Sequence, residues 1–280
     1  MLPPVATRFV AGESAPVAID HARRLNAAGI GAILNLLGEH YDDRAPADDD
    51  AAAYRQLLAD LGDSGLDACV SVKPSQIGLP VDESVFRENL RSIVAAGDDH
   101  DRFVWVDMEG SATTDATLDA FVDVAREFDG GVGVCVQANL RRTREDLARL
   151  ADVPGKVRLV KGAYDEPASI AYTDREAVDE AYREDLRFCF RAYDGGIAVG
   201  SHDPEMIDLA TDLHDRYGTP FEIQMLMGVR EDAQRELAAA GYDVMQYAPF
   251  GSKWFSYFSR RVRERRENLA FALRAIAGRG

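Results

Sequence analysis

The sequence predicts an α/β fold, a single (β/α)8 barrel of the TIM type spanning residues 1–280. Three observations carry that expectation. Eight short apolar runs alternate with amphipathic helical segments, and strands buried on both faces of a parallel sheet read as continuous apolar runs. A chain of 280 residues suits one such barrel without an interdomain linker. An open doubly wound sheet that binds a dinucleotide carries a glycine fingerprint after its first strand, whereas Gly29-Ile30-Gly31 stands before one.

In order, Ala18, Ala22, Leu25 and Ala28 recur at helical spacing, and Ala32 to Leu37 reads as the first strand. The polar stretch Tyr41 to Asp50 reads as a loop, leading into a helix from about Ala51 to Leu61. A repeating unit follows, in which a strand with a polar residue at its C-terminal end gives way to an amphipathic helix closed by Gly. Its strands are Leu66–Lys73, Arg102–Glu109, Gly131–Ala138, Val157–Val160, Gly196–Gly200, Pro220–Met225 and Asp243–Tyr247. Their helices are Asp82–Ala96, Asp115–Phe128, Thr143–Leu150, Asp174–Ala192, Pro204–Tyr217, Glu231–Ala240 and a closing Phe255–Ala277.

The composition narrows function by exclusion. A net charge of −16 argues against binding nucleic acid or anionic lipid through a general positive surface. No apolar run has the length of a membrane span and MLPPVATRFVAGE lacks the basic start and apolar core of a leader, so a cytoplasmic protein is expected. Cys69, Cys135 and Cys189 are widely spaced in apolar surroundings and read as reduced hydrophobes, with no metal site. Only Lys73, Lys156, Lys161 and Lys253 are lysines among abundant Asp and Glu, a texture that suits a halophilic source.

Barrels of this kind gather their active site at the C-terminal ends of the strands. Those ends supply Glu39, Lys73, Asp107, Glu109, Gln137, Arg158, Lys161, Ser201, His202, Gln224 and Tyr247. Lys73, Asp107, Arg158 and Lys161 follow apolar residues that belong inside, and charges of both signs around a dry pocket perturb one another. In KVRLVKGAYDEP, Arg158 and Lys161 place two cations beside one buried strand, which calls for an anionic or electron-rich partner. Near the C-terminus, Tyr257, Arg260 and Arg261 share a helix face and suit a small carboxylate. His202 after Ser201 belongs to no nucleophile elbow or metal-ligand pair and reads as a hydrogen-bonding wall residue. On these residues alone, a flavin-dependent amino-acid dehydrogenase and a Schiff-base lyase or aldolase using Lys161 or Lys73 both stay open.

The segments RFVAGE, LNLLGE, VWVDMEGS, VCVQANLRRTREDL, VRLVKGAYDEP, GSHDPEMI, FEIQMLMGVRED and YAPFGSKWFSYFSRRVRERRENL resemble, in order, those of the flavin-dependent proline dehydrogenases, closest to the monofunctional bacterial and archaeal form. The resemblance implies a distorted (β/α)8 barrel that binds FAD at its C-terminal mouth and oxidises L-proline to Δ1-pyrroline-5-carboxylate. It implies that Arg158 lies near flavin N5 and that Lys161, Gly162 and Ala163 belong to the FAD-binding segment. Met108, Gln137, Ser201, His202 and Gln224 fall where the family contacts FAD. Lys73, with Asp107 beside it, and the pair Arg260 and Arg261 match the groups around the substrate carboxylate. Tyr247 and Tyr257 match aromatics lining the proline ring. Asn139 and Met227 stand where many members carry aromatics. The implied partners are a quinone or other electron acceptor, reached peripherally at the inner face of the membrane, and a separate pyrroline-5-carboxylate dehydrogenase.

Overall fold

Eight parallel strands pair in chain order and close on themselves, β1 with β2 through to β8, and β8 back to β1. The structure is a computed structural model and describes residues 6–38 and 40–255. The strands are β1 (Gly31–Leu36), β2 (Ala68–Val72), β3 (Val104–Val106), β4 (Val132–Gln137), β5 (Lys156–Val160), β6 (Ile197–Gly200), β7 (Phe221–Leu226) and β8 (Val244–Phe250). Helix α1 (Ala15–Asn26) precedes β1, and each later strand follows one of α2 (Arg44–Gly62), α3 (Glu83–Asp99), α4 (Thr114–Glu127), α5 (Thr143–Leu150), α6 (Arg175–Ala192), α7 (Pro204–Tyr217) and α8 (Glu231–Ala239). The closing helix expected over Phe255–Ala277 falls outside the described residues from its second position onward, as do Tyr257, Arg260, Arg261 and Glu39.

Strand alternation divides the core in two. Outward residues such as Val70, Val104, Val134, Leu159 and Val199 join Phe86, Leu90, Phe121, Leu186 and Met206 of the helices in the main apolar layer. Inward residues form a second, smaller cluster of Ile33, Cys69, Trp105, Ala198 and Met245 that plugs the barrel. Trp105 fits because Gly133 is its neighbour across β3 and β4, and a Cβ there would lie 2.5 Å from the indole.

The stretch Tyr41–Asp50 is not all loop. Helix α2 begins at Arg44, seven residues before the expected start, with Asp43 in extended N-cap conformation. The acidic run that looks like a solvated loop is paired inside this first part of the helix. Asp48 takes Arg44 one turn back and the Asn89 amide at 2.9 Å, while Asp50 accepts from the Tyr41 hydroxyl and the Gln76 amide, both at 2.8 Å.

Arginine–carboxylate pairs tie neighbouring helices around the outside. Arg44 meets Glu88, Arg87 and Arg91 meet Asp123 and Glu127, Arg142 and Arg149 meet Asp115 and Asp119, Arg144 meets Asp185, and Arg183 meets Glu205. Every adjacent pair from α2 to α7 is bridged, although the exposed pairs, which are all but Arg144–Asp185, contribute only about 0–1 kcal/mol each.

Candidate active site

Asp107 is the hub of the barrel's C-terminal mouth. It stands just past β3 and points inward, two residues beyond Trp105. Its Oδ1 accepts from the Ser71 hydroxyl at 2.7 Å and from the Arg158 guanidinium. Its Oδ2 accepts from the Tyr247 hydroxyl at 2.7 Å and from Lys73 Nζ at 3.1 Å. Lys73 Nζ also donates to Asn35 Oδ1 at 2.9 Å and to Tyr247 at 3.1 Å. Burial alone would raise the Asp107 carboxyl, but Lys73 and Arg158 outweigh it and hold the group far below the usual carboxylate range. Burial likewise opposes the charge on Arg158, and Asp107 more than restores it. Tyr247 is pushed well above an ordinary phenol by burial and by the Asp107 charge, so it stays a neutral donor.

The guanidinium of Arg158 lies between aromatic faces, 5.0 Å from the Trp105 ring centre and 5.7 Å from that of Tyr247. Its other terminal nitrogen donates to Gln224 Oε1 at 3.0 Å. Five strands therefore bring Lys73, Asp107, Arg158, Gln224 and Tyr247 into one network. Across Asp107, Lys73 and Arg158 the formal charge is +1.

Arg158 and Lys161 separate. Arg158 is inward on β5, but Lys161 lies three positions on, beyond the end of the strand, and turns toward the outer helices. Its ammonium meets Asp179 of α6 and, at 2.7 Å, Asp203 at the start of α7. Burial raises the Asp203 carboxyl, and the Lys161 hydrogen bond and charge more than reverse that. The two cations part because the strand ends between them at Val160. A Schiff-base role needs an amine with a free lone pair. Lys73 and Lys161 are both engaged as donors to carboxylates.

The remaining expected residues line the rim. Met108 and Gln137 are buried, and Gln137 donates to the Glu109 carbonyl at 2.9 Å. Ser201 is buried and its hydroxyl accepts from Asp203 N at 3.1 Å. His202 Nε2 accepts from the backbone N–H of Leu226 at 2.8 Å, which fixes the tautomer protonated at Nδ1 when the ring is neutral. Gly162 has φ +108, a conformation that favours glycine, and Ala163 beside it is exposed. Two serine clamps brace the rim: Glu109 takes both the backbone N–H and the hydroxyl of Ser75 at 2.7 Å, and Glu166 takes those of Ser111 at 2.7 and 2.6 Å. Ser71, Asn35 and Trp105 belong to the network but were not among the expected residues. The phase of alternation carries their signal, since each lies two positions before a strand-end residue or on the same inward face.

A dinucleotide-sized group needs polar atoms left for it and room for its backbone approach. Asn139 Oδ1, at the end of β4, is buried without a hydrogen-bond partner. It lies against Gly162, where any Cβ would come within 2.1 Å of it. The bare glycine makes room for Asn139 itself, so the fit of a flavin at the mouth rests on the orphaned Asn139 acceptor and on the buried Arg158 between its two aromatic walls.

A family model described as proline dehydrogenase matches residues 18–274. The chain is 38% identical over 281 residues to the proline dehydrogenase of Deinococcus radiodurans, covering 97% of this chain and 90% of that protein. It is 34% identical over 275 residues to proline dehydrogenase 1 of Bacillus subtilis (strain 168), with the same coverage. Among solved structures, proline utilization A from Bdellovibrio bacteriovorus, inactivated by N-propargylglycine, superposes with a TM-score of 0.85 at 24% identity, covering 92% of this chain and 32% of that one. The corresponding values for proline utilization A from Corynebacterium freiburgense are 0.80, 22%, 96% and 31%. The chain thus spans about a third of these larger proteins, and they share its fold.

Proposed function

The chain belongs to the proline dehydrogenase family, and from that premise we propose that it oxidises L-proline to Δ1-pyrroline-5-carboxylate with FAD bound at the barrel mouth. The observation that carries this reading is the Asp107 hub, where one deeply ionised carboxylate holds Lys73 and Arg158 in a buried site. When bound, the flavin supplies a two-electron acceptor that takes a hydride from the ring carbon next to nitrogen. The residues do the rest. Lys73 binds the substrate carboxylate, joined by Arg260 and Arg261, which aims the ring carbon instead of letting it wander. Tyr247 and Tyr257 wall the ring. Arg158 offers fixed positive charge where electron density collects. Asp107 holds both cations in place.

Met108, Gln137, Arg158, Lys161, Gly162, Ala163, Ser201, His202 and Gln224 would hold the cofactor. Lys161, already balanced by Asp179 and Asp203, braces the loop after β5 more than it supplies net charge. Electrons then pass to a quinone or other acceptor, met peripherally at the inner face of the membrane. A separate pyrroline-5-carboxylate dehydrogenase takes the product. The cytoplasm of a halophile suits the acidic surface.

Anaerobic L-proline is expected to bleach the flavin of the purified protein. A flavin that stays oxidised with proline, yet is reduced by another cyclic or N-alkyl amino acid, would remove the substrate assignment. N-propargylglycine is expected to inactivate this chain as well, and excess proline to protect it.

A further inference from the structure

Arg158 is the end of a polar chain that runs down the barrel axis to its opposite mouth. Gln224 accepts from Arg158 through Oε1 and donates through Nε2 to Glu222 Oε1 at 2.5 Å. Glu222 Oε2 takes Lys156 Nζ at 2.6 Å. Gln224 and Glu222 are two apart on β7, and Arg158 and Lys156 two apart on β5, so all four side chains point inward. Between these strands β6 presents Ala198 and Gly200, in register with Arg158 and Val160 on one side and with Glu222 and Gln224 on the other. A Cβ at Gly200 would lie 3.3 Å from Arg158 Cγ and 2.7 Å from Val160 Cγ1. Small residues on β6 leave the gap that Arg158 and Gln224 bridge.

The carboxamide of Gln224 has one acceptor end and one donor end. With a guanidinium above and a carboxylate below, only one orientation pairs both, and the reverse sets donor against donor and acceptor against acceptor. Arg158 is fastened at two nitrogens, one to Asp107 and one to Gln224. Loss of the second leaves one terminal nitrogen without its partner, with the group held from the other nitrogen and by the Trp105 and Tyr247 rings.

We propose that Glu222, held by Lys156, is a positioning residue for the oxidation: it orients Gln224 and through it fixes Arg158 against the flavin. This rests on the reading that Arg158 faces the cofactor. Glu222 itself lies a full layer below the mouth and touches neither substrate nor cofactor there.

The test is a double-mutant cycle on the FAD-loaded protein, with Glu222→Leu and Gln224→Leu singly and together. Steady-state kinetics with proline and the midpoint potential of the bound flavin are both measured. Glu222→Leu is expected to lower kcat by about 10- to 100-fold, the scale of a misplaced catalytic group. KM for proline should change by less than about threefold, because the carboxylate clamp is untouched, and the potential should become more negative. Adding Glu222→Leu to Gln224→Leu should change neither quantity further. Glu222→Gln, which keeps an acceptor for Gln224, should recover most of kcat. Additive losses, or a KM effect with kcat and potential unchanged, would overturn the proposal. If Glu222→Leu does not fold, Glu222→Ser, too short to reach Gln224, takes its place in the same cycle. Arg158→Met separates the two readings. If it leaves the potential unmoved, the placement of Arg158 at the flavin fails. If it moves the potential while the Glu222 variants do not, the positioning role alone fails.

Discussion

Replacing Asp107 by Asn keeps the shape of the hub and removes its charge. The carboxylate takes four donors, Ser71 and Arg158 on one oxygen, Lys73 and Tyr247 on the other. An amide accepts at one end and donates at the other. The two hydroxyls can reverse, but Arg158 and Lys73 cannot accept, so either orientation turns an NH2 toward a cation. The Arg158 side chain is 5% exposed and has no route to water, whereas that of Lys73 is 26% exposed. Removing one partner of a buried pair costs about 3–5 kcal/mol. At about 2 °C per kcal/mol for a chain of this size, Tm should fall by roughly 6–10 °C at neutral pH, read by scanning calorimetry. The pH dependence has a defined sign. Because the folded pKa of Asp107 is depressed, its contribution is fully present above the unfolded value of about 3.9 and is lost as pH falls through the folded value. The gap between parent and variant should therefore narrow as the pH falls below about 4, and keep narrowing toward the folded value. A variant with the parent's Tm at neutral pH, or a gap that widens on acidification, would refute the buried-hub account.

Gly162→Ala should cost about 1–3 kcal/mol from the φ of +108 alone. The contact with Asn139 adds to this, so Asn139→Ala in the same chain should recover the steric part of the lost Tm and leave the backbone part. Lys161→Met leaves Asp179 and Asp203 facing each other, and with the Lys161 side chain 27% exposed the loss should be about 1–3 kcal/mol. Since Lys161 is what depresses the Asp203 carboxyl, that loss should shrink as the solution is acidified below about pH 4, as seen in Tm against pH. Raising KCl from about 0.1 M to about 2 M should raise Tm. Screening weakens the interhelix pairs, which contribute little, but it relieves the longer-range repulsion of a chain at −16. A Tm that falls with salt would give the pairs the larger weight.

The barrel was legible because outward strand residues and helix faces repeat one pattern eight times. Val132, Val134 and Val136 announce a buried strand whatever lies inside the barrel. The start of α2 was not legible. Asp48-Asp49-Asp50 look solvated in sequence, and only the fold brings Asn89, Gln76 and Tyr41 to Asp48 and Asp50. The pairing of Lys161 with Asp179 and Asp203 was not legible for a related reason. Its distance from Arg158 along the chain is short, but a strand that ends at Val160 sends the two side chains to different layers.

What sequence reading left unused is phase. Once Arg158 is inside, Lys156 must be inside too, and the same step leads from Gln224 to Glu222, from Asp107 to Trp105 and from Lys73 to Ser71. Phase says that such groups share the interior, but which of them meet depends on how the strands are staggered and on which strand between them is small. Ala198 and Gly200 decide that Arg158 meets Gln224 across β6, and Gly133 decides that Trp105 can lie beneath the guanidinium. The resulting charges are not evenly shared. At the lower end Lys156 is matched by Glu222, with Asp67 and Asp243 close by. At the upper end Lys73 and Arg158 share the single carboxylate of Asp107, which leaves one positive charge over. A barrel interior with carboxylates in excess around Lys156 at its lower end and two cations on the one Asp107 carboxylate at its upper end is arranged for an anionic group entering from the upper side, as the carboxylate of an amino acid would.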